Sequence, residues 1–309
     1  MHWSGVLPAV TTPFTPTLDV DHALLERHAG WLLENGCSGL VMLGSLGEGA
    51  TLEHEEKIAV LRTALKSSEK AGTPVVAAIS SLSTAAAVRL AKEAEGLGCA
   101  GLMVLPPYVY STDWREMKAH VAAVFGATGL SCMLYNNPVA YRTDYVPEQV
   151  LELAGEFGNF AAVKESSTDV RRVTAIRAIL GDRMTIFTGV DDAIVEAVAA
   201  GSRGWVAGLV NAFPAESVAL YALALAGKTD EAFALYRWFL PLLRMDTVPK
   251  FVQLIKWVQG ETGTGTALVR PPRLELAGAE LEEAKRVLEI ALADRPEVRS
   301  TAFPALQEA

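Results

Sequence analysis

Cysteine is scarce in this chain, with three thiols in 309 residues at Cys37, Cys99 and Cys132. They supply neither the close pairs of a zinc site nor the even count of a disulfide framework. Each adjoins an expected strand, where a reduced thiol behaves as a small buried hydrophobe. Histidine is nearly as scarce: His22 and His28 share one amphipathic helix and His54 opens another without a matching ligand, so no metal site is expected. No apolar run is long enough to span a bilayer, and no basic region precedes an apolar stretch in Met1–Pro8. Lys and Arg form no cluster, and a net charge of -9 opposes non-specific binding to phosphate backbones or anionic membranes. The expectation is a cytoplasmic protein that handles small molecules, without nucleic-acid or membrane partners.

Nucleotide signatures are missing as well. Gly227-Lys228-Thr229 looks like the end of a phosphate-binding loop, but Ala222 stands where that motif needs its earlier glycine, and Gly227 reads as a helix C-cap. Gly260-Glu261-Thr262-Gly263-Thr264-Gly265 follows a helical segment instead of a strand and reads as a loop. No cofactor is expected.

What the chain has is alternation. With 50% apolar and 20% charged residues it can bury a large core. Apolar runs at Val6–Thr11, Gly39–Leu43, Val75–Ile79, Gly101–Leu105, Ser131–Tyr135, Ala161–Lys164, Thr185–Thr188 and Gly204–Ala207 alternate with helical patterns. Those patterns run over Asp21–Glu34, Leu52–Lys70, Thr84–Leu97, Asp113–Phe125, Pro147–Gly155, Asp169–Leu180, Asp191–Ala199 and Pro214–Leu225. Strands followed by helices pair in parallel, and nearly continuous apolar strands are covered on both faces. An open doubly wound sheet would carry a glycine-rich turn after its first strand, whereas Thr12-Pro13-Phe14-Thr15-Pro16 has no glycine. The pattern predicts an α/β fold, a (β/α)8 barrel over residues 1–226, with a C-terminal helical extension over 227–309. Its helices are expected near Asp230–Leu243, Pro249–Gly260 and Gly278–Asp294, with a frayed tail from Arg295.

Barrel chemistry sits at the C-terminal ends of strands, so polar strand ends are the candidates. The second strand ends in Gly44-Ser45-Leu46-Gly47-Glu48-Gly49, a turn whose amides and hydroxyl could gather on a carboxylate, or simply a tight strand-to-helix turn. The fifth ends in Tyr135-Asn136-Asn137-Pro138, the sixth in Lys164-Glu165-Ser166-Ser167 and the seventh in Gly189-Val190-Asp191-Asp192. Lys164 is the lone cation of an apolar strand. If buried, it loses solvation of its charged form and offers a neutral, nucleophilic amine; the alternative is a solvated lysine paired with Glu165. Tyr135 could pass protons beside such an amine, or be a core tyrosine. Asp191 and Asp192 could contact substrate, or be acidic residues at a helix N-terminus.

Taken together, Gly44–Glu48, Tyr135-Asn136-Asn137-Pro138 and Val163-Lys164-Glu165-Ser166 resemble motifs of the family of dihydrodipicolinate synthase and N-acetylneuraminate lyase, and the resemblance covers almost the whole chain. It implies a pyruvate-type class I lyase, a covalent imine through Lys164, a proton-relaying Tyr135, and a substrate carboxylate held by Ser45 and the Leu46 N–H. It further implies a site lined by the Gly189 carbonyl, and assembly as a homotetramer. Three positions depart from the family. Leu46 replaces the second threonine of the family turn. In Pro106-Pro107-Tyr108-Val109-Tyr110, Val109 stands where a family tyrosine reaches a neighbouring subunit, leaving Tyr108 and Tyr110 as replacements to consider. Arg142 lies two places late for the arginine that grips the synthase's second substrate.

Val139-Ala140-Tyr141, the Gly204–Pro214 segment and Tyr236–Pro241 look most like the 1-pyrroline-4-hydroxy-2-carboxylate deaminases of hydroxyproline breakdown. That likeness implies a cyclic imine carboxylate as substrate, with release of ammonia and 2,5-dioxopentanoate. Arg142, Asp191, Asp192 and Val206 complete the substrate-binding candidates. The alternatives are 4-hydroxy-tetrahydrodipicolinate synthase or another aldolase acting on 2-oxo acids, and a non-catalytic binding or regulatory barrel.

Overall fold

The computed structural model describes residues 1–107, 109, 113–299 and 303. Its strands are β1 (Gly5–Pro8), β2 (Leu40–Met42), β3 (Val75–Ile79), β4 (Gly101–Val104), β5 (Ser131–Asn136), β6 (Phe160–Glu165), β7 (Thr185–Thr188) and β8 (Gly204–Ala207). They form one eight-stranded sheet in the order β1-β8-β7-β6-β5-β4-β3-β2, every pair parallel. A parallel bridge from Ala9 to Val41, with the Val10 N–H donating to the Val41 carbonyl at 2.9 Å, joins the two outer strands. The sheet is therefore the expected (β/α)8 barrel. Both faces are covered: no residue of β3 exceeds 1% exposure, so a continuous Val and Ala run is what this position selects.

Around the barrel run α1 (His22–Glu34), α2 (His54–Ala71), α3 (Thr84–Leu97), α4 (Trp114–Phe125), α5 (Pro138–Tyr141), α6 (Pro147–Glu156), α7 (Arg171–Leu180), α8 (Ile194–Ala199) and α9 (Pro214–Leu225). Their ends follow from side chains that satisfy terminal amides. Asp21 accepts from the Leu24 N–H at 2.9 Å, and Asp113 from the Arg115 N–H at 2.8 Å. Gly227, at φ +69°, closes α9 in the left-handed conformation that glycine adopts freely.

The differences from the expected boundaries are physical. β1 ends at Pro8, and backbone pairing continues only through Val10 before Thr11 and Thr12 leave the ladder: the Thr11 N–H donates to the Asn211 side chain at 3.2 Å and the Thr12 hydroxyl to the Gly47 carbonyl at 2.7 Å. The helix expected from Asp191 opens as a 3₁₀ turn, Asp191–Ala193, because the Asp191 carboxylate is engaged elsewhere.

After Gly227 come α10 (Thr229–Leu243), a 3₁₀ turn at Arg244–Thr247, α11 (Phe251–Glu261) and α12 (Gly278–Ala293). α10 packs on α9 and α12, and Trp238 donates its indole N–H to the Ala291 carbonyl at 2.9 Å. The start of the expected frayed tail is docked. Arg295 pairs with Glu216 at 2.7 Å and stacks on Phe213, and Phe303 meets Trp31 edge-on with ring centres 5.3 Å apart. Among the described residues no helix is long and apolar enough to cross a membrane.

Candidate active site

A cavity of about 440 Å³ opens where β2, β5, β6, β7 and β8 end. Its wall includes Gly44, Ser45 and Leu46 after β2, Tyr135 on β5, Lys164 on β6, Gly189 after β7 and Val206 on β8. Candidates from five segments of the sequence therefore share one wall.

Lys164 is 6% exposed, and its Nζ lies 4.1 Å from the centre of the Tyr135 ring, its register partner across β5 and β6. It is not paired with Glu165. Successive strand residues face opposite sides, and the Glu165 carboxylate accepts from the Asn136 amide at 3.0 Å and from the Ser167 N–H at 2.6 Å. Burial pushes the Lys164 amine down to about 8, while the carboxylates of Asp246 and Asp191 pull it back upward. Burial likewise pushes the Tyr135 phenol up to about 12, against the Asn137 amide that donates to its oxygen at 3.0 Å. A proton-holding phenol thus faces an amine of reduced basicity.

The glycine-rich turn is shaped by close approach. A Cβ at residue 47 would stand 2.7 Å from the Val10 carbonyl oxygen, and one at residue 49 would overlap the Leu43 carbonyl. Glu48 sits at φ +52° inside this turn, with its side chain fully buried. Its carboxylate meets Lys256 Nζ of α11 at 2.8 Å and the Arg270 N–H at 3.1 Å. Ser45 and Leu46 are thereby anchored to the C-terminal helices.

Three sequence candidates lie off this wall. Arg142 ends the single turn α5 at φ +58°, its side chain exposed, because the Asn137 cap on the Ala140 N–H fixes that turn's direction. Asp191 is fully buried and held by three donors: Trp205 Nε1 at 2.9 Å, the Leu209 N–H at 2.8 Å and the Gly208 N–H at 3.1 Å. Those bonds fix the turn after β8, and burial still raises the acid to about 6. Asp192 turns toward Arg244 at 3.8 Å, and its carbonyl accepts from the Tyr236 hydroxyl. Tyr108 and Tyr110 lie outside the described residues.

Tyr141 and Asp246, with Arg273, are among the wall groups that escape sequence reasoning. Tyr141, on α5, hydrogen-bonds the Ser45 hydroxyl and meets the Tyr135 ring edge-on with centres 5.8 Å apart. Asp246, on the Arg244–Thr247 turn, reaches the wall between Gly208 and Lys164. Burial, with the Asp191 charge, holds its carboxyl well above the usual range, and Lys164 opposes that shift. Neither lies at a strand end, so a search of strand ends passes them over. Gly208, directly after β8, was the available signal, because a Cβ there would overlap the Asp246 carboxylate.

The three cysteines are buried and unpaired by disulfides. Burial raises the Cys99 and Cys132 thiols to about 12, so they remain protonated core residues.

Known proteins resemble this chain over most of its length. A 4-hydroxy-tetrahydrodipicolinate synthase of Moorella thermoacetica is 33% identical over 290 residues, covering 93% of this chain and 97% of the relative. One from Xanthomonas axonopodis pv. citri is 37% identical over 240 residues, covering 76% of this chain and 77% of the relative. The solved structure of the 4-hydroxy-tetrahydrodipicolinate synthase from Methylacidiphilum fumariolicum SolV superimposes with a TM-score of 0.90 at 29% identity, covering 94% of this chain and 97% of the other. The model of the dihydrodipicolinate synthetase family matches residues 2–291, and the chain belongs to that family, whose lyases are class I Schiff-base enzymes.

Proposed function

We propose that this chain is a Schiff-base lyase that condenses Lys164 with the C2 of a 2-oxo acid or of a cyclic imine carboxylate, and that its substrate is 1-pyrroline-4-hydroxy-2-carboxylate. The observation that carries the lyase reading is the buried Lys164 amine against the Tyr135 ring, inside a cavity also lined by Ser45 and Leu46. A desolvated amine is a nucleophile near neutral pH. The turn receives the carboxylate next to the electrophilic carbon, and Tyr135 moves protons at the carbinolamine or ring nitrogen. Hydroxyls of Ser45 and Tyr141 extend that proton path toward the Leu46 side, where the family's second threonine is missing.

On the cyclic substrate, Lys164 adds to C2 and the ring C2–N bond opens, leaving a Lys164 iminium and a free amine at C5. Loss of a C3 proton gives an enamine, which expels the 4-hydroxyl as water. Tautomerisation moves an imine to C5. Water then releases ammonia there and 2,5-dioxopentanoate from Lys164. No aldehyde partner is needed, which suits a site whose Arg142 is off the wall.

The second reading, 4-hydroxy-tetrahydrodipicolinate synthase, draws on the relatives' names, which support it more directly than they support the deaminase. Borohydride trapping separates the two. The deaminase reading expects a Lys164 adduct and ammonia release from the pyrroline alone. Turnover only with pyruvate plus an aldehyde gives the site to the synthase or another aldolase, and an adduct on any residue other than Lys164 overturns both.

A further inference from the structure

The cavity holds one acid that the steps above leave without a task. Asp246 belongs to the Arg244–Thr247 turn between α10 and α11, and with Lys164, Gly189, Val206 and Gly208 it lines the wall. The chain makes room for it: a Cβ at residue 208 would overlap its carboxylate, so the glycine after β8 admits Asp246 to the strand ends. Among the described residues none donates a hydrogen bond to Asp246, whereas neighbouring Asp191 is satisfied by Trp205, Gly208 and Leu209. A half-buried carboxyl with no hydrogen-bond donor among the described residues, open to a cavity, has its hydrogen-bonding capacity left for whatever enters.

We propose that Asp246 is the general acid of this site, giving its carboxyl proton to the substrate hydroxyl oxygen as that oxygen departs. The proposal deepens the deaminase reading and rests on it. In the Lys164-bound enamine, the nitrogen lone pair re-forms the C2=N bond and the C2=C3 pair moves to C3=C4. The C4–O bond breaks with both electrons going to oxygen. Asp246 O–H supplies the proton, water leaves, and the Asp246 carboxylate remains facing the Lys164 iminium. The charges balance because one cation and one anion arise together, and their mutual attraction offsets part of the desolvation cost of forming them. Burial and the charges of Asp191 and Asp192 favour the protonated form of Asp246 before that step, with Lys164 the opposing charge. Asp191 is poorly placed for the task, since three N–H donors hold its carboxylate off the cavity wall. Tyr135 lies against the lysine nitrogen and serves the imine end.

The test is reductive trapping of the full-length protein with the pyrroline, read by the mass of the Lys164 peptide. Wild type is expected to give the dehydrated adduct. Asp246→Asn, which can hydrogen-bond but not transfer the proton, is expected to accumulate the adduct that is heavier by one water, with ammonia release lower by about 10²–10³-fold. Asp246→Glu restores part of the rate. Trapping of each variant with pyruvate alone, read after long incubation as the mass of the Lys164 peptide and not as a rate, checks that fold and lysine survive. Asp246→Asn that releases ammonia at the wild-type rate overturns the proposal. So does loss of both adducts in parallel, which makes Asp246 a positioning residue for Lys164. Failure of the underlying reading shows separately, in wild type, as no pyrroline adduct while pyruvate still traps.

Discussion

Lys164 and Tyr135 are register partners across β5 and β6, and the lysine Nζ lies 4.1 Å from the centre of the phenol ring. A ring face attracts the ammonium form and so works against a neutral amine. Burial is the larger effect, since the amine falls to about 8 although Asp246 and Asp191 favour its charge. Desolvation is thus the effect that makes this nitrogen nucleophilic. The expected outcome is a pyruvate-trapping rate that climbs with pH as the neutral amine is populated and levels off above about 8. Borohydride trapping as a function of pH measures it. A limb near 10.5, the value of an ordinary lysine, removes the basis of the mechanism.

Gly189 owes its identity to Lys164. A Cβ at residue 189 would stand 2.7 Å from Lys164 Cγ and would overlap the Ser166 hydroxyl. Gly189→Ala must displace the lysine side chain, and a displacement of about 1 Å at a reacting atom costs on the order of 10²-fold in rate. Adduct formation with pyruvate should fall by that order while the melting temperature changes little. Gly208→Ala is the contrasting case, because its methyl group meets Asp246 instead. It should leave pyruvate trapping nearly intact and slow the later steps.

Tyr141 joins Ser45 by a hydrogen bond and abuts the Tyr135 ring, placing its hydroxyl between the anion turn and the phenol. Tyr141→Phe keeps the ring and removes the hydroxyl. A group that moves protons in series with Tyr135 should lower kcat by about 10–10²-fold when removed. It should then add little in a Tyr135→Phe background, because residues acting as one unit are not additive. Full additivity of the two substitutions would separate Tyr141 from the relay.

The barrel was legible because burial on both faces leaves a simple mark. Val75–Ile79, Thr185–Thr188 and Gly204–Ala207 were bounded to the residue by their apolar runs. Lys164 was legible for the same reason, as a cation where burial selects against one. Asp246 left no mark of this kind. In Arg244-Met245-Asp246-Thr247 it looks like any solvated turn, and only the return of the chain after α10 carries it to the strand ends. Tyr141 sits on a single helical turn, too short for periodicity to declare which way its residues point. Asp191 is the opposite case: two residues after Gly189, it turns its carboxylate toward the Trp205 indole and the backbone after β8, and nothing local announces those donors.

Glu48 and Lys256 form an ion pair with side-chain exposures of 0% and 1%, and Lys256 also donates to the Thr12 carbonyl at 2.9 Å. Burial drives the Lys256 amine down to about 8 despite the Glu48 carboxylate that favours its charge, so desolvation outweighs the pairing. Removing one partner leaves the other charge buried, which costs roughly 3–5 kcal/mol in comparable pairs. The Arg270 N–H at 3.1 Å and Arg273 at 3.6 Å still face Glu48, so Lys256→Ala belongs at the low end of that range. The expected result is a clear fall in melting temperature, together with a raised KM, because the same pair fixes the turn that carries Ser45 and Leu46. Lys256→Met combined with Glu48→Gln removes both charges and should recover much of the stability without recovering KM. If the single variant melts with wild type, the pair is not what anchors the turn.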